Sequence, residues 1–387
     1  MTPGARVAAA ITVLDQISAG AFAEQALTAW ARASRFAGAK DRAAVRDHVF
    51  DVLRSRRSLG DGDGRALMLR LMQRDGVDID TIFNGIGHAP EPMYKDEIAA
   101  LSHPLTLSDA AACDIPDGLW PLWQASLGAD AVTAAQAQQA RADVFLRVNQ
   151  RKASIAQAMD ALAQDGITTQ PHPGICTCLR VRDNPRRIKT AAAYLTGLVE
   201  LQDAASQRAV GLLPPAARLL DYCAGGGGKA LAFADRDDAA VFAHDIAPAR
   251  MKDLPDRAAR AGVTITTLAT AELADHAPFD LVFCDAPCSG SGTWRRTPDA
   301  KWRLTADRLQ ALTTMQDDVI TQAAPLVATG GLLAYATCSV LRDENDAVVA
   351  RFLDHHPDWS LQLRDQALPG PDGDGFFLAV LSHKSNL

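Results

Sequence analysis

The sequence predicts an α/β protein built on a doubly wound parallel sheet, with a small α+β appendage and an all-helical N-terminal domain. From Ala204 onward, short apolar runs alternate with segments of helical length, which is the pattern of βαβ units. Before that point, residues 143–203 mix strand-like and helical patterns, and the first part of the chain shows helical periodicity. We therefore expect domains at 1–142, 143–203 and 204–387, because 387 residues suffice for two or three cores.

The helical prediction for the N-terminal domain depends on apolar residues that recur every three or four positions. Val7, Ile11 and Leu14 fall on one face of the first such segment. Further helical structure is expected from Leu67 to about Leu101. The Ala/Gln-rich stretch from Gly128 to Ala142 is expected to form a helical bridge to the next domain.

The C-terminal domain has six candidate strands. We expect strands at 218–223, 240–245, 263–268, 279–285, 331–337 and 376–381, and helices near 204–213, 229–236, 248–261, 305–328 and 343–356. Such sheets have right-handed crossovers and commonly the strand order 3-2-1-4-5. In that order the fourth and fifth strands are neighbours, so residues that follow them meet at one edge of the sheet.

A carboxylate and two thiols occupy this predicted edge. Asp285 ends the fourth strand, Cys288 follows in a loop of small residues, and Cys338 comes directly after the fifth strand. A lone cysteine near a strand end is usually a buried residue that only packs in the core. Two cysteines placed alike beside an aspartate indicate covalent chemistry, because open α/β sheets bind their ligands at the carboxyl ends of the strands.

The first strand runs into a glycine-rich loop. Its residues are Asp221, Tyr222, Cys223, Ala224, Gly225, Gly226, Gly227, Gly228 and Lys229. Consecutive glycines let a backbone approach a ligand and expose N–H groups, but Ala230 stands where a phosphate-binding loop needs Ser or Thr. Asp245 ends the second strand, where these folds hold ribose hydroxyls. A nucleoside-type cofactor fits this pattern, and S-adenosylmethionine is the natural candidate. The alternative is that the two aspartates only cap helices or form salt bridges.

The charge distribution favours an RNA partner more than the total charge does. The net charge of −7 argues mildly against a nucleic-acid-binding protein. However, residues 1–75 carry 12 Lys/Arg against 8 Asp/Glu, a balance of +4 (12 − 8), and basic clusters lie at 180–189 and 295–303. The last cluster is interleaved with Trp294 and Trp302, a mixture that suits phosphates and bases. A solvated face remains the simpler explanation of any single cluster.

Composition also indicates where the protein is located and whether it binds a metal. There is no apolar run of about 18 residues, so we expect no membrane span. Seven cysteines at irregular spacing form no metal-binding grid, since Cys176 and Cys178 have no matching second pair. An odd cysteine count is typical of a reducing compartment. We expect a cytoplasmic monomer without a metal.

The loop and the two cysteine motifs resemble those of the Sun-type RNA cytosine-5 methyltransferases, and within them the small-subunit rRNA methyltransferase B group. The loop DYCAGGGGK is similar to the family's D-x-C-A-x-P-G-G-K, with Gly226 where proline is usual. DAPCSGSG at 285–292 and ATCS at 336–339 resemble its cysteine motifs, and LQDAASQRAV, PDAKWR, ENDAVVARFL and DGFFLAVL agree with its flanking segments. The resemblance covers about 143–387. The segment DRAAVRDHVFDVLRSRRSL looks like the NusB-like RNA-binding domain of the rRNA subgroup.

The resemblance implies a Rossmann-like methyltransferase domain and a reaction. A methyl group of S-adenosylmethionine would pass to carbon 5 of a cytosine in RNA, above all 16S rRNA, through an adduct between Cys338 and carbon 6. Asp285 would contact the base, Cys288 would serve the release step, and Lys229 would assist between cofactor and substrate.

One departure and several alternatives accompany this resemblance. The family usually has an aspartate for the adenine amino group where this chain has Thr270, and Thr270 or Glu272 could take its place. A tRNA or DNA substrate would need the same chemistry. A non-catalytic RNA-binding or ribosome assembly factor would need neither thiol.

Overall fold

The computed structural model describes residues 1–236 and 238–384, which divide into two compact units. The helical unit contains residues 1–141 together with the later segment 294–303, and the α/β unit contains the rest of the described chain. Among the residues described, no helix combines the length and the apolar character that a bilayer span requires.

The helical unit packs around the apolar faces that the sequence predicts. Its α-helices are Pro3–Ser18, Ala23–Ala33, Ala39–Arg54, Gly64–Arg74, Ile79–Ile82, Lys95–Ser102, Asp109–Ala112, Trp120–Leu127, Ala131–Gln139 and Pro298–Arg303, with a 3-10 turn at Gly128–Asp130. Val7, Val13 and Leu14 are fully or almost fully buried in its core. The helical stretch expected between Leu67 and Leu101 is interrupted twice, after Arg74 and after Ile82, because Gly76 and then Gly85 and Gly87 turn the chain with positive φ.

The third basic cluster lies largely inside the helical unit. Trp294 stacks on Trp123 with ring centroids 5.6 Å apart. The indole N–H of Trp302 donates to the Leu53 carbonyl at 2.7 Å. Lys301 is 1% exposed and Arg295 5% exposed. These side chains fix the segment 294–303 to the helices of this unit, so they do not form the exposed basic surface that the sequence suggested.

The α/β unit begins with a small four-stranded antiparallel sheet. Its strands are β1 (Phe145–Val148), β2 (Thr169–Pro171), β3 (Cys178–Val181) and β4 (Val199–Leu201), in the order β2-β3-β1-β4. The helices Ile155–Gln164 and Ala192–Leu195 and the 3-10 turn Pro185–Thr190 accompany it. Ser154 begins the first of these helices with a capping box, in which its hydroxyl accepts from Gln157. This α+β arrangement agrees with the pattern read from residues 143–203.

A seven-stranded sheet forms the centre of the α/β unit. Its strands are β5 (Arg218–Asp221), β6 (Ala240–His244), β7 (Ile265–Leu268), β8 (Phe279–Asp285), β9 (Val327–Thr337), β10 (Trp359–Ala367) and β11 (Phe376–His383). The order is β10-β11-β9-β8-β5-β6-β7, and the five strands from β9 to β7 are parallel. The expected order 3-2-1-4-5 is confirmed. The antiparallel strand β10 was not expected, because along it only Trp359 is fully buried.

Helices cover both faces of this sheet. The α-helices are Ala204–Leu212, Gly228–Arg236, Leu254–Ala261, Leu273–His276, Ala306–Ala323 and Asp346–His355, and the 3-10 turns are Pro248–Met251, Thr270–Glu272, Ala324–Leu326 and Arg342–Glu344. Successive strand residues alternate between the two cores: Leu219 faces one core and Leu220 the other. The helix expected at 305–328 ends at Ala323, and β9 begins only four residues later, at Val327.

Candidate active site

The two predicted thiols lie side by side. Strand β8 pairs with β9 in parallel, with Asp285 opposite Ala336, so the loops after both strands leave the same edge of the sheet. The sulfurs of Cys288 and Cys338 are 3.4 Å apart and within hydrogen-bonding distance. Both side chains are half-buried. The topology therefore brings together two thiols that the sequence places far apart.

The two thiols differ in acidity. The hydrogen bond to Cys288 is the main cause that lowers the pKa of Cys338, and nearby Lys229 lowers it further, against the opposing effects of burial and of the Asp285 charge. The same hydrogen bond, burial and the Cys338 and Glu344 charges raise the pKa of Cys288. Burial also raises the pKa of the neighbouring Cys284. The hydrogen bond therefore favours Cys338 over Cys288 as the more acidic thiol of the pair, and the thiolate is the form that a nucleophile requires.

Lys229 links the glycine loop to the thiol edge. Its ammonium donates to Oδ2 of Asp285 at 2.6 Å and lies 5.3 Å from the centre of the Phe376 ring. Burial alone would lower the pKa of Lys229, but the charge of Asp285 and its hydrogen bond outweigh that effect, and the pKa is raised. Lys229 thus stays charged, and its charge lowers the pKa of the Cys338 thiol while it remains paired with Asp285.

A buried carboxylate that the sequence analysis missed ties the two cysteine loops together. Glu344 is fully buried, and its Oε1 accepts the Ser289 N–H at 2.7 Å and the Gln316 amide at 3.1 Å. The hydroxyls of Ser289 and Ser339 both donate to its Oε2. Each of these serines directly follows one of the cysteines. The only sequence signal was the Glu-Asn pair at the start of a predicted helix.

The glycine loop has the backbone that a close-fitting cofactor cradle needs. Gly225 and Gly227 have φ of 53° and 78°, the left-handed region that favours glycine. A Cβ at Gly227 would lie 2.3 Å from the Leu254 side chain. At Gly226, where proline is usual in the resembled family, the carbonyl accepts a hydrogen bond from Arg257. The loop is therefore held by a guanidinium from a neighbouring helix.

Asp221 is a buried carboxylate that is only partly satisfied. Its Oδ2 accepts the Ala230 N–H at 3.0 Å. Its Oδ1 has no hydrogen-bond partner in the described part of the chain. Burial raises the pKa of Asp221 from 3.8 to about 7, against the lowering effect of Lys229. A buried, unpaired carboxylate oxygen beside a glycine cradle is suited to a cationic ligand group.

Asp245 and Thr270 lie at the ends of the adjoining strands. Oδ2 of Asp245 accepts the Gly225 N–H at 2.9 Å, and Arg250 pairs with the same oxygen at 3.0 Å. The Thr270 hydroxyl lies 2.9 Å from Nε2 of the buried His244. Glu272, the other candidate, accepts the Ala269 N–H at 2.7 Å as part of a capping box.

Ile246 is an exposed apolar side chain that the sequence analysis also missed. It directly follows Asp245 and is 84% exposed. Its position beside the carboxylate offers an apolar face to a ligand held there. Asp221, Lys229, Asp285 and Cys338 interact electrostatically as one group, whereas Thr270 is tied to the strand β6 end of the site.

Comparison with known proteins gives matches along most of the chain. A family model described as 16S rRNA methyltransferase RsmB/F matches residues 212–382. A second, described as the Methyltr_RsmF/B-like, ferredoxin-like domain, matches residues 115–200.

Two relatives carry the name ribosomal RNA small subunit methyltransferase B. The one from Salmonella arizonae is 34% identical over 266 residues, which cover 64% of this chain and 62% of the relative. The one from Vibrio cholerae is 32% identical over 304 residues, which cover 75% of this chain and 70% of the relative. The chain thus spans a little under two thirds of the first relative's length.

Solved structures share the fold. PH0851 superposes with a TM-score of 0.71 and 22% identity and covers 99% of both chains. A methyltransferase homologue from Pyrococcus horikoshii gives a TM-score of 0.61 at 22% identity, over 71% of this chain and 98% of that one. From the relatives and family models together, we conclude that the chain belongs to the RsmB/F family of 16S rRNA methyltransferases.

Proposed function

We propose that this protein transfers a methyl group from S-adenosylmethionine to carbon 5 of a cytosine in small-subunit rRNA. The observation that carries the proposal is the thiol pair, in which Cys338 lies 3.4 Å from Cys288 and has a lowered pKa. Carbon 5 of cytosine is a poor nucleophile until a thiolate adds at carbon 6. A protein that only binds RNA needs no such pair.

The residues around the glycine loop fit S-adenosylmethionine. The unpaired Oδ1 of Asp221 would accept the ammonium of its amino-acid end. Asp245 would hold the ribose hydroxyls, and Ile246 would cover the adenine. The backbone from Cys223 through Gly228 would surround the cofactor. Thr270 stays our candidate for the adenine amino group. When bound, the cofactor supplies an electrophilic methyl group.

The addition step uses groups that the chain already polarises. The Cys338 thiolate forms the bond to carbon 6, and the displaced electron pair makes carbon 5 nucleophilic. Asp285 contacts the base at N3 and its amino group and stabilises the charge that develops there. Lys229 donates a hydrogen bond to Asp285 and holds its carboxyl group in place beside the two thiols. Serine hydroxyls and Glu344 hold both loops in place during this step.

The release step follows from the same pair. Once the Cys338 sulfur is bonded to carbon, its negative charge no longer raises the pKa of Cys288. Cys288 then loses its own proton to solvent more easily, and the resulting thiolate can accept the proton that leaves carbon 5. The electron pair of that C–H bond restores the double bond between carbons 5 and 6 and expels the Cys338 thiolate.

The names of the relatives support the choice of RNA substrate, and the free cysteines of this chain support the choice of cellular compartment. The relatives are named for small-subunit ribosomal RNA, which favours that RNA over tRNA. All seven cysteines are free thiols, which is typical of a reducing compartment and favours the cytoplasm. We expect the protein to act as a monomer, with the 1–142 domain contributing to RNA recognition.

Single substitutions of the two cysteines test the reaction. Cys338→Ser should abolish methyl transfer from labelled S-adenosylmethionine to rRNA, while calorimetry still detects cofactor binding. Cys288→Ser should accumulate a covalent RNA adduct, seen as a slowly migrating band on denaturing gels. Cys176→Ser, an exposed cysteine away from the pair, is the matched control. Normal turnover by Cys338→Ser would contradict the proposed nucleophile. Bisulfite sequencing of RNA from cells with and without the protein would locate the modified cytosine.

A further inference from the structure

The helical unit carries an open groove of about 650 Å³ between the helices Ala23–Ala33 and Ala39–Arg54. Its lining includes four arginines, one tryptophan and one carboxylate: Arg32, Arg35, Arg42, Arg46, Trp30 and Glu24. All of these residues come from the two helices and the loop that joins them. The groove is therefore a feature of this unit alone.

The groove is strongly basic in a chain that is acidic overall. Four guanidinium groups face one carboxylate, a local balance of +3 (4 − 1), whereas the whole chain has a net charge of −7. Among the residues that the structure describes, Glu24 pairs only with Arg46, whose guanidinium donates to it at 2.6 Å. Arg32 and Arg35 are exposed and have no ion-pair partner in the part of the chain that the structure describes. Such uncompensated charge costs self-repulsion unless an anion is present.

An unusually exposed aromatic ring lies beside these charges. Phe36 directly follows Arg35 in the loop and is 77% exposed. Trp30 lines the groove and is half-buried. Exposed rings next to guanidinium groups are the combination with which proteins bind single-stranded nucleic acid: bases stack on the rings, and phosphates pair with the cations.

We propose that this arginine groove, made of Arg32, Arg35, Arg42 and Arg46 with Phe36 at its edge, binds a single-stranded segment of the RNA substrate. Phosphates pair with the arginines, and a base stacks on Phe36. An acidic protein would account for the charges but gives the exposed Phe36 ring no planar partner. The inference depends on the proposed function in that the ligand is the RNA that becomes methylated.

The test separates the stacking contribution from the charge contribution. The full-length protein is titrated into a short fluorescein-labelled single-stranded RNA, and anisotropy is measured at several KCl concentrations. Phe36→Ala should weaken binding roughly 5- to 150-fold, the loss of one stacked base, without changing the salt dependence. The double variant Arg32→Gln/Arg35→Gln should reduce the slope of log K against log salt by about 1.4, or about 0.7 for each lost phosphate contact.

Matched controls come from the same unit outside the groove. Ile86→Ala removes another exposed apolar side chain, and Arg74→Gln removes a surface arginine that pairs with Asp75. Both should bind RNA like the native protein. The groove variants and Ile86→Ala alter exposed side chains, so their circular dichroism melting curves should superimpose on that of the native protein, whereas Arg74→Gln also loses a hydrogen bond to the buried Ser55 hydroxyl and should melt slightly earlier.

The outcomes distinguish this proposal from the proposed function. With the groove altered, methyl transfer should keep its kcat at saturating RNA while KM for RNA rises. If both groove variants bound RNA with the affinity of the native protein and with the same slope of log K against log salt, the proposal would be overturned even if the protein methylates RNA normally. Unchanged RNA binding together with lost binding of a polyglutamate peptide would overturn it in favour of a protein partner. Failure of the native protein to methylate any RNA would instead overturn the proposed function.

Discussion

Replacing Asp221 with asparagine probes the electrostatics at the cofactor end of the site. The carboxyl is buried, one of its oxygens is unpaired, and burial raises its pKa to about 7. At neutral pH an ionised Asp221 therefore destabilises the unliganded protein. Asparagine has nearly the same shape and carries no charge to desolvate, so the variant should be less sensitive to pH.

The magnitude follows from the pKa difference between the folded and unfolded chains. The folded pKa is raised, so the folded state binds this proton more tightly, and the linked stability is fully present below about pH 4. That stability is lost as the pH rises towards 7. The pKa differs by about three between the two states, and each unit corresponds to about 1.36 kcal/mol, so the folded protein has lost about 4 kcal/mol of stability by pH 8. About 1.5 kcal/mol of this loss has already occurred at pH 5. The stability difference between the variant and the native protein should thus grow by about 2 to 3 kcal/mol from pH 5 to pH 8.

The pH dependence is a cleaner readout than the absolute gain. Asparagine places an N–H₂ group near the unpaired oxygen's position, and an unsatisfied buried amide costs about 1 to 3 kcal/mol at every pH. Urea unfolding, followed by tryptophan fluorescence between pH 5 and pH 8, gives the difference directly. The same variant should bind S-adenosylmethionine at least about tenfold more weakly by calorimetry, since the ammonium loses its carboxylate.

Asp245→Asn is the matched control for this experiment. Both oxygens of Asp245 already accept backbone N–H donors, so removing its charge should not stabilise the protein. A stability difference between Asp221→Asn and the native protein that stays constant within about 0.5 kcal/mol from pH 5 to pH 8 would refute the reasoning, because that is close to the precision of such comparisons.

Two further predictions concern the supports of the site. Glu344→Gln puts an amide among hydrogen-bond donors, and a hydrogen bond to a charged group contributes about 1.5 to 3 kcal/mol, so kcat should fall at least about tenfold while the cofactor Kd is unchanged. Ser289→Ala should lower kcat less. An unchanged kcat in Glu344→Gln would exclude a positioning role for Glu344. Arg257→Met removes the guanidinium that holds the Gly226 carbonyl and should weaken cofactor binding about fivefold by calorimetry. Arg257 also pairs with Glu200 at 3.5 Å. Arg260→Met removes a second arginine that pairs with Glu200 but does not contact the loop, so this control should bind the cofactor normally.

The central sheet could be predicted because its strands are buried on both faces. The run Leu281 to Cys284 is apolar at every position, which is typical of a parallel strand between two layers of helices. The known preference for one strand order then placed Cys288 and Cys338 together. Strand β10 escaped prediction, because an edge strand needs few buried residues and its sequence is mostly polar.

The supports of the site were harder to predict than its reactive groups. Glu344 precedes a helix in the sequence, where an acidic residue is ordinary, and only the three-dimensional structure shows that it accepts hydrogen bonds from both cysteine loops. Lys301 and Arg295 were wrongly expected on an exposed basic surface, whereas the structure buries both side chains. Charged residues are almost never fully buried, so composition favoured a surface for them.

The segment Trp294–Arg303 limits how this protein can be divided. It belongs to the helical unit although the residues on either side of it belong to the α/β unit. A truncation that begins at residue 142 would remove Trp123 from the Trp294 indole and the Leu53 carbonyl from the Trp302 indole. Two large aromatic side chains and the Lys301 ammonium would lose the helices that enclose them. The helical unit is therefore not a detachable module, and gene fusions or shortened versions should keep both parts of it.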